Sequence, residues 1–519
     1  MSDSGAVSAV STVRWIEGAT EERDRIDRAL ATGGEALHAS AHRSVVAYDG
    51  GDALAPRIVV KHYHPPASRM RALRDRVFDR APAWREWRAL RTLHVRGLPV
   101  ARPLAFGIDA AGRALVAMQR VEGPDFATAL DRADADERAR LVERLAACVA
   151  RLHEAGFVHG DLHLGNLRIN EDDDRVILLD VQDARGTTSP AARRRDLARL
   201  LFALERATGD SATGALLLAA LPDDPGLDRA RCAFLRDHAR GRQRRHLRPG
   251  ADWRALETGP PPRRGLGVAG IEASLLDEAL RDAKPLRSLA PRRSGRVQID
   301  VIELGGRQQV RKRVAAGNLR RGVADRLRGS PAARAFRRGQ RDRLVSDRSA
   351  PALAFLEHRA WGRRPESTLL LEHVGEIDLD AWRPASPEAA RDVAIAVATW
   401  LAEQHAVGLG HRDAKAGNIR MTWRAGNARF WWVDLEDLTG PRPLRESKRL
   451  HALVQLNASL ADEAFDADVR RAALDAYHAR LPFRRAIDAV ACEIHERSIA
   501  RDHRYRGRPT GPVTARQTP

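Results

Sequence analysis

Apolar residues fall along the chain in two rhythms. Short β-branched runs bounded by polar residues, such as "RIVVKHY" (57–63) and "RVILLD" (175–180), predict strands. Helical spacing runs instead through residues 81–96 and through a long stretch at 135–156. Together the pattern predicts strands around 35–61, a helix at 81–96, strands around 102–122 and the long helix. A loop, a strand ending at residue 180 and helices from about 191 onward complete it. Strands followed by helices, with few β-α-β units, predict an α+β domain of two lobes.

The same order then returns. "RQQVRKRV" (307–314) repeats the strand that carries Lys61, and Lys312 lies 251 residues after Lys61. Asp161 and Asp413 are 252 apart, Asn166 and Asn418 are 252 apart, and Asp180 and Asp434 are 254 apart. Four offsets within three residues predict two copies of one domain in series. We assign residues 1–30 to an N-terminal extension, 31–247 to the first domain and 285–500 to the second. Residues 248–284, rich in Pro and Gly, are read as a linker, and 501–519, which lack apolar periodicity, as a disordered tail.

Composition narrows the setting. A chain of 519 residues has room for two to four domains, and 43% hydrophobic with 30% charged residues describes a globular protein. Three widely spaced cysteines, Cys148, Cys232 and Cys492, cannot build a disulfide framework and suit a reducing compartment. The opening "MSDSGAVSAVSTVRW" lacks a basic stretch followed by an apolar one, so no signal peptide is expected, and runs such as "ALLLAAL" (215–221) are too short to span a bilayer. A cytoplasmic location follows, with room for peripheral contact at the inner membrane face. The formal charge of +19 calls for an anionic partner or a solvated basic surface. There are five lysines against 83 arginines, and three of the five, Lys61, Lys312 and Lys415, fall in the repeated motifs. A lysine kept in so arginine-rich a chain points to a need for a compact ammonium.

The repeated loop suits phosphoryl transfer. "HGDLHLGN" sets Asp161 five residues before Asn166, and the next strand delivers Asp180. Transfer from a nucleotide needs a carboxylate to orient the acceptor hydroxyl, oxygen ligands for Mg²⁺ and a cation on the phosphates. Asp161 fits the first role, Asn166 and Asp180 the second, and Lys61 the third; Asp413, Asn418, Asp434 and Lys312 repeat the set. His159 and His163 could instead be zinc ligands. Gly160 between them argues against a helix, and the second copy has Lys415 in place of the second histidine.

This order of residues, H-x-D-x-x-x-x-N and then a strand-borne Asp after a strand lysine, resembles the protein-kinase-like superfamily. The resemblance implies ATP and Mg²⁺ as cofactors. It makes Glu86 the helical partner of Lys61, "RALVAMQRVEG" the strand entering the hinge, and Asp196 the buried aspartate that anchors the catalytic loop. Lys415 occupies a loop position where kinases commonly carry lysine, near the nucleotide. "HGDLHLGN" alone fits aminoglycoside and choline phosphotransferases equally well. "EWRALRTLHVRGLPVARPLAFG", and in the second copy the basic run after Lys312 through "APALAFLEH", look like the lipopolysaccharide core sugar kinases (Kdo/heptose kinases). The resemblance covers roughly residues 35–245 and 290–490.

Fewer than twenty residues separate Asp180 from the helix of Asp196, with no A-P-E, so a sugar or glycolipid acceptor is expected over a protein, and nucleic acid is not expected. The chain departs from the pattern in three places. Neither copy has a G-x-G-x-x-G, the second has no glutamate between Lys312 and Glu357, and the position matching Asp196 falls near Lys448 and Arg449. The main activity is therefore expected in the first copy, with Asp325 the candidate substitute for the missing glutamate. The rival readings are a Ser/Thr protein kinase with a regulatory second domain, and a non-enzymatic protein that binds anionic surfaces.

Overall fold

The run around Lys61 forms the centre of a six-stranded antiparallel sheet. Its strands are β1 (Arg14–Gly18), β2 (Glu35–Ala39), β3 (Arg43–Tyr48), β4 (Ile58–Tyr63), β5 (Pro103–Ile108) and β6 (Ala114–Gln119), in the order β1-β5-β6-β4-β3-β2. The computed structural model describes residues 13–49, 56–65, 81–209, 212–224, 226–258, 263–289, 297–315, 328–358, 366–424 and 426–501. Alternation along β4 sorts its side chains. Ile58 and Val60 pack under helix α1 (Thr20–Ala31) with Ile26, Ala29, Leu104 and Leu115. Val59, Lys61 and Tyr63 point the other way, toward helix α2 (Pro82–Val95), which buries Trp87, Leu90 and Leu93 against Phe106, Val116 and Met118.

The larger lobe is mostly helical. It contains α3 (Phe126–Arg132), α4 (Ala135–Glu154), α5 (Pro190–Thr208) and α6 (Ala212–Ala219), with the short strands β7 (Phe157–Val158), β8 (Leu167–Ile169), β9 (Val176–Leu178) and β10 (Arg185–Gly186). The Asp134 side chain caps α4 by accepting from Glu137 N at 2.8 Å, and Leu141, Leu145, Cys148 and Leu152 form its buried stripe.

The chain divides into two compact units between Arg231 and Cys232, inside helix α7 (Leu227–His246). The expected boundary at 247 therefore moves upstream. A continuous helix hides the break from a reading that looks for Pro and Gly, and Gln243 Nε2 already donates to Arg337 O at 2.7 Å within the second unit.

The second unit has a seven-stranded sheet. Its strands β11 (Trp253–Thr258), β12 (Arg263–Val268), β13 (Arg287–Leu289), β14 (Val297–Leu304), β15 (Arg307–Val314), β16 (Ala352–His358) and β17 (Glu366–Glu372) order as β11-β12-β16-β17-β15-β14-β13. Leaving out β11, this is the order of the first sheet. Helix α8 (Ala273–Arg281) buries Leu276, Ala279 and Leu280 on one face, as α1 does, and α9 (Pro331–Arg343) follows the lysine strand as α2 does. The larger lobe adds α10 (Pro387–Ala406), β18 (Ile377–Asp378), β19 (Gly410–His411), β20 (Ile419–Arg424), β21 (Asn427–Trp432), β22 (Leu438–Thr439), α11 (Glu446–Asn457), α12 (Ala467–Arg480) and α13 (Ile487–Ile499). Two α+β, bilobal units in tandem thus match the fold read from the pattern, and the protein-kinase-like form is the one the motif resemblance implied.

Two assignments change. Residues 14–30 are not an extension, since β1 pairs with β5 and α1 covers the sheet. Residues 253–281 are not a linker, since β11, β12 and α8 build the same corner of the second unit. The glycines misled the reading for a physical reason. A Cβ on Gly265 would stand 1.8 Å from Phe355 O, so this glycine serves close strand approach and not a turn. The tail 502–519 and the basic stretches 66–80 and 316–327, which include Asp325, lie outside the described residues.

Candidate active site

In the first unit a buried ion pair forms the floor of the cleft. Lys61, on the inner face of β4, donates from Nζ to Glu86 Oε1 at 2.5 Å and to Asp180 Oδ1 at 3.3 Å. Glu86 is fully buried on α2, and its other oxygen accepts from the Tyr63 hydroxyl. Burial beside Glu86 pushes the Tyr63 hydroxyl far up, so it stays a donor. Arg43 on β3 lies directly across the strands from Tyr63 and grips Asp180 with both nitrogens, at 2.7 and 2.9 Å. Burial alone would raise the Asp180 carboxyl, but Arg43 and Lys61 outweigh it and hold the group well below the usual carboxylate range. Asp180 has left-handed backbone angles, φ 56° and ψ 49°, which aspartate tolerates better than most residues.

The loop before it is held from behind. Asp196 on α5 accepts from His159 N at 2.6 Å and from Gly160 N at 3.0 Å. The His159 ring is neutral, because burial pushes its pKa down. Its Nδ1 accepts from Asp161 N at 3.3 Å and its Nε2 donates to Leu179 O at 2.9 Å. His163 caps the next turn by accepting from Gly165 N, so neither histidine is placed as a zinc ligand. Among the described residues no group of three or more His, Cys, Asp or Glu gathers for a metal. His163, 3.6 Å away, outweighs the upward push of partial burial and, with Arg199, holds Asp161 as a carboxylate. Asn166 Nδ2 donates to Asp161 O at 2.9 Å, which leaves its side-chain oxygen for another partner. That oxygen and the Asp180 carboxylate are the hard donors that Mg²⁺ takes alongside water and phosphate, so the set fits this ion.

The second unit keeps the loop and loses the ring of contacts. Asn418 Nδ2 donates to Asp413 O at 2.7 Å; His411 Nδ1 accepts from Asp413 N as His159 does from Asp161 N, but its Nε2 donates one residue further on, to Asp434 O at 2.8 Å. Lys415 Nζ lies 2.6 Å from Asp413 Oδ2, where the first unit has His163. Lys312 Nζ donates to Asp434 Oδ1 at 2.9 Å. Counted from the leading proline of each helix, however, Ala335 stands where Glu86 does. Strand register puts Val297 and Val314 where Arg43 and Tyr63 are. The Asp434 backbone is not left-handed (φ −93°).

The anchor has also moved. Counted from the first residues of α5 and α11, Asp196 corresponds to Ala452 and Arg199 to Gln455, not to the region of Lys448 and Arg449. Gln455 donates to Arg412 O at 2.9 Å just as Arg199 donates to Gly160 O at 2.8 Å, which fixes that register. Gln455 Oε1 also accepts from Ala414 N. The earlier expectation failed because two residues are added between Asn418 and Asp434 and two more before α11, a shift of four from the loop spacing.

Of the residues of the first copy that the sequence singled out, Lys61, Glu86 and Asp180 meet directly, and Asp161, Asn166 and Asp196 are joined around the loop, which His159 ties to Leu179 beside Asp180. Arg43, Tyr63 and Arg199 were missed. Tyr63 had a signal, since residues i and i+2 of a strand share a face and Lys61 is two before it. Arg199 lies one helical turn after Asp196. Arg43 carried no local signal.

The family model described as "Lipopolysaccharide kinase (Kdo/WaaP) family" matches residues 51–218 and 281–477, once in each unit and more than half of the chain in total. The chain belongs to this family. A 3-deoxy-D-manno-octulosonic acid kinase of Stenotrophomonas maltophilia (strain R551-3) is 32% identical over 135 residues, 25% of this chain and 53% of that protein. The enzyme of the same name from Xylella fastidiosa (strain 9a5c) is 32% identical over 154 residues, 28% of this chain and 59% of that protein. The KEOPS complex subunit Bud32 of Pyrococcus abyssi is 29% identical over 147 residues, 28% and 62% of the two chains. The chain thus spans between half and two thirds of the length of these relatives. Among solved structures, WaaP in complex with acyl carrier protein is similar at 19% identity and a TM-score of 0.31, covering 43% of this chain and 91% of that one. The Mycobacterium tuberculosis PknI kinase domain is similar at 22% identity and 0.26, covering 38% and 86%.

Proposed function

We propose that this member of the family is an ATP-dependent kinase whose first unit phosphorylates a sugar hydroxyl of a lipopolysaccharide core or similar glycolipid. The observation that supports the reading is the contact of Lys61 with both Glu86 and Asp180, together with the bond from Asn166 to Asp161 O in the loop. Lys61, its ammonium fixed by two carboxylates, binds the α- and β-phosphates. Asp180 and Asn166 would hold Mg²⁺, which when bound would neutralise charge on the phosphates. Asp161, ionised and steered by His163 and Arg199, accepts a hydrogen bond from the acceptor hydroxyl and takes its proton as the phosphoryl group transfers. The acceptor class is supported by the similarity to the two 3-deoxy-D-manno-octulosonic acid kinases. It is also supported by the nine residues, Val181–Ser189, between Asp180 and α5, a ledge too short to seat an extended polypeptide.

The second unit is proposed to bind nucleotide weakly through Lys312, Lys415, Asn418 and Asp434, with Asp413 contributing little turnover. No described helix is long and apolar enough to cross a membrane. The basic surfaces are proposed to meet the inner membrane face peripherally, where the glycolipid acceptor is reached from the cytoplasm. The reading is tested with Asp161→Asn, assayed for Mg²⁺-ATP binding and for transfer to a glycolipid bearing 3-deoxy-D-manno-octulosonic acid. Binding should stay within a few-fold while transfer disappears. Normal transfer by the variant would remove Asp161 from its role.

A further inference from the structure

The hairpin over the cleft does not cradle phosphate in the way a glycine-rich loop does. Between β2 and β3 the turn folds on Ser40, whose Oγ accepts from His42 N at 3.4 Å and from Arg43 N at 3.2 Å. Ser40 N and Oγ both donate to Arg43 O, at 2.8 and 3.0 Å. The amides of Ser40, His42 and Arg43, which a phosphate cradle would present, are therefore engaged within the turn. The same turn puts a guanidinium in their place. Arg43 begins β3, faces the cleft and reaches Asp180, the carboxylate assigned to Mg²⁺, with two parallel hydrogen bonds.

Its surroundings form a closed ring. Arg43 and Lys61 share Asp180, Lys61 binds Glu86, Glu86 accepts from Tyr63, and Tyr63 stands opposite Arg43 across the strands. The second unit supplies an internal comparison. Register replaces Arg43, Tyr63 and Glu86 by Val297, Val314 and Ala335, so all three are apolar there while the lysine and aspartate are kept. Three residues that differ together, and that touch one another where present, behave as one device.

Resting on the kinase reading of the first unit, we infer that Arg43 is the phosphate-binding arm of this site, standing in for backbone amides, and that Tyr63 and Glu86 are its positioning partners. The planar guanidinium suits two oxygens of a phosphate as well as it suits a carboxylate. Because Asp180 and the nucleotide phosphates would share one Mg²⁺, a side chain that already reaches Asp180 would lie close to those phosphates.

Calorimetric titration of the full-length chain tests this. Asp434→Asn is present throughout, to remove nucleotide binding by the second unit, and Mg²⁺-ATP, Mg²⁺-ADP and adenosine are the probes. Arg43→Ala should weaken ATP roughly 10- to 100-fold, the range of a lost charge-assisted hydrogen bond or pair of bonds. Adenosine, which has no phosphate, should change less than about twofold, and this also shows that the variant is folded. Arg43→Lys, which keeps charge without the fork, should fall between. ATP binding by Arg43→Ala as tight as in the parent, or tighter, would overturn the inference and leave the kinase reading standing. A parent chain that binds adenosine and ATP equally or not at all would overturn both.

Discussion

Glutamine at position 86 is a perturbation whose size can be worked out beforehand. The Glu86 carboxylate is fully buried, with Lys61 Nζ at 2.5 Å and the Tyr63 hydroxyl on its other oxygen. Removing one partner of a buried pair costs roughly 3–5 kcal/mol when the remaining charge is stranded. Here Lys61 keeps Asp180 at 3.3 Å, and glutamine fills the same volume with one acceptor oxygen. The cost should therefore fall below that range, at about 1–3 kcal/mol, the penalty for a buried polar group left poorly paired. The effect on catalysis should be larger. Lys61 loses the contact that aims it, and a misplacement of about 1 Å can cost on the order of 100-fold in rate. Urea denaturation gives the first quantity, and kcat/KM for phosphate transfer gives the second. A Glu86→Gln chain with parental stability and parental kcat/KM would refute the claim that the Lys61–Glu86 pair organises the site. Ala335→Glu in the second unit is the converse test, and should tighten nucleotide binding there if Lys312 lacks only this partner.

Other consequences can be checked separately. Lys61→Arg should lower kcat/KM at least tenfold although charge is kept, because a wide guanidinium does not fit between Glu86 and Asp180; unchanged kinetics would make Lys61 a bystander. His405, buried against the Tyr477 hydroxyl at 2.7 Å, has its pKa pushed down to about 3 by burial and then by Arg449. The unfolded chain, with a histidine near its ordinary value of about 6.5, takes up that proton first. Stability should therefore be full above about pH 6.5 and fall toward pH 3, by up to about 1.4 kcal/mol per pH unit from this group. His405→Gln should flatten that slope, and an unaltered slope would dismiss it. Binding to anionic vesicles should drop steeply between low and physiological salt; binding that ignores salt would discard the peripheral-membrane reading.

The central contacts were legible in the sequence because phosphoryl-transfer chemistry demands particular residue types at fixed spacings. Lys61, Asp161, Asn166 and Asp180 stand in one ordered series, and the second series confirmed by its offsets that the first was no accident of composition. What stayed hidden depended on pairing across the chain. Arg43 meets Tyr63 only through strand register, and nothing within a few residues of Arg43 announces the pairing. The corner elements β1, α1, β12 and α8 were hidden differently. Helix α1 buries only Ile26 and Ala29, which is too little to outweigh its charged residues, and Gly265 and Gly267 of β12 answer to a neighbouring strand and to helix α8. The anchor of the second loop was misplaced because two extra residues before Asp434 and two more before α11 shift the helix, and only the hydrogen bond from Gln455 to Arg412 O reveals it.

The claim that the first unit is the working sugar kinase is tested most directly by pairing two inactivated chains, Asp161→Ala and Asp413→Ala. Each is incubated with γ-labelled ATP, Mg²⁺ and a glycolipid bearing 3-deoxy-D-manno-octulosonic acid. Label should appear on the sugar, with Asp161→Ala nearly inactive and Asp413→Ala keeping most of the parental rate. The reverse order would make the second unit the enzyme, and label that enters only polypeptide would contradict the sugar-kinase account altogether.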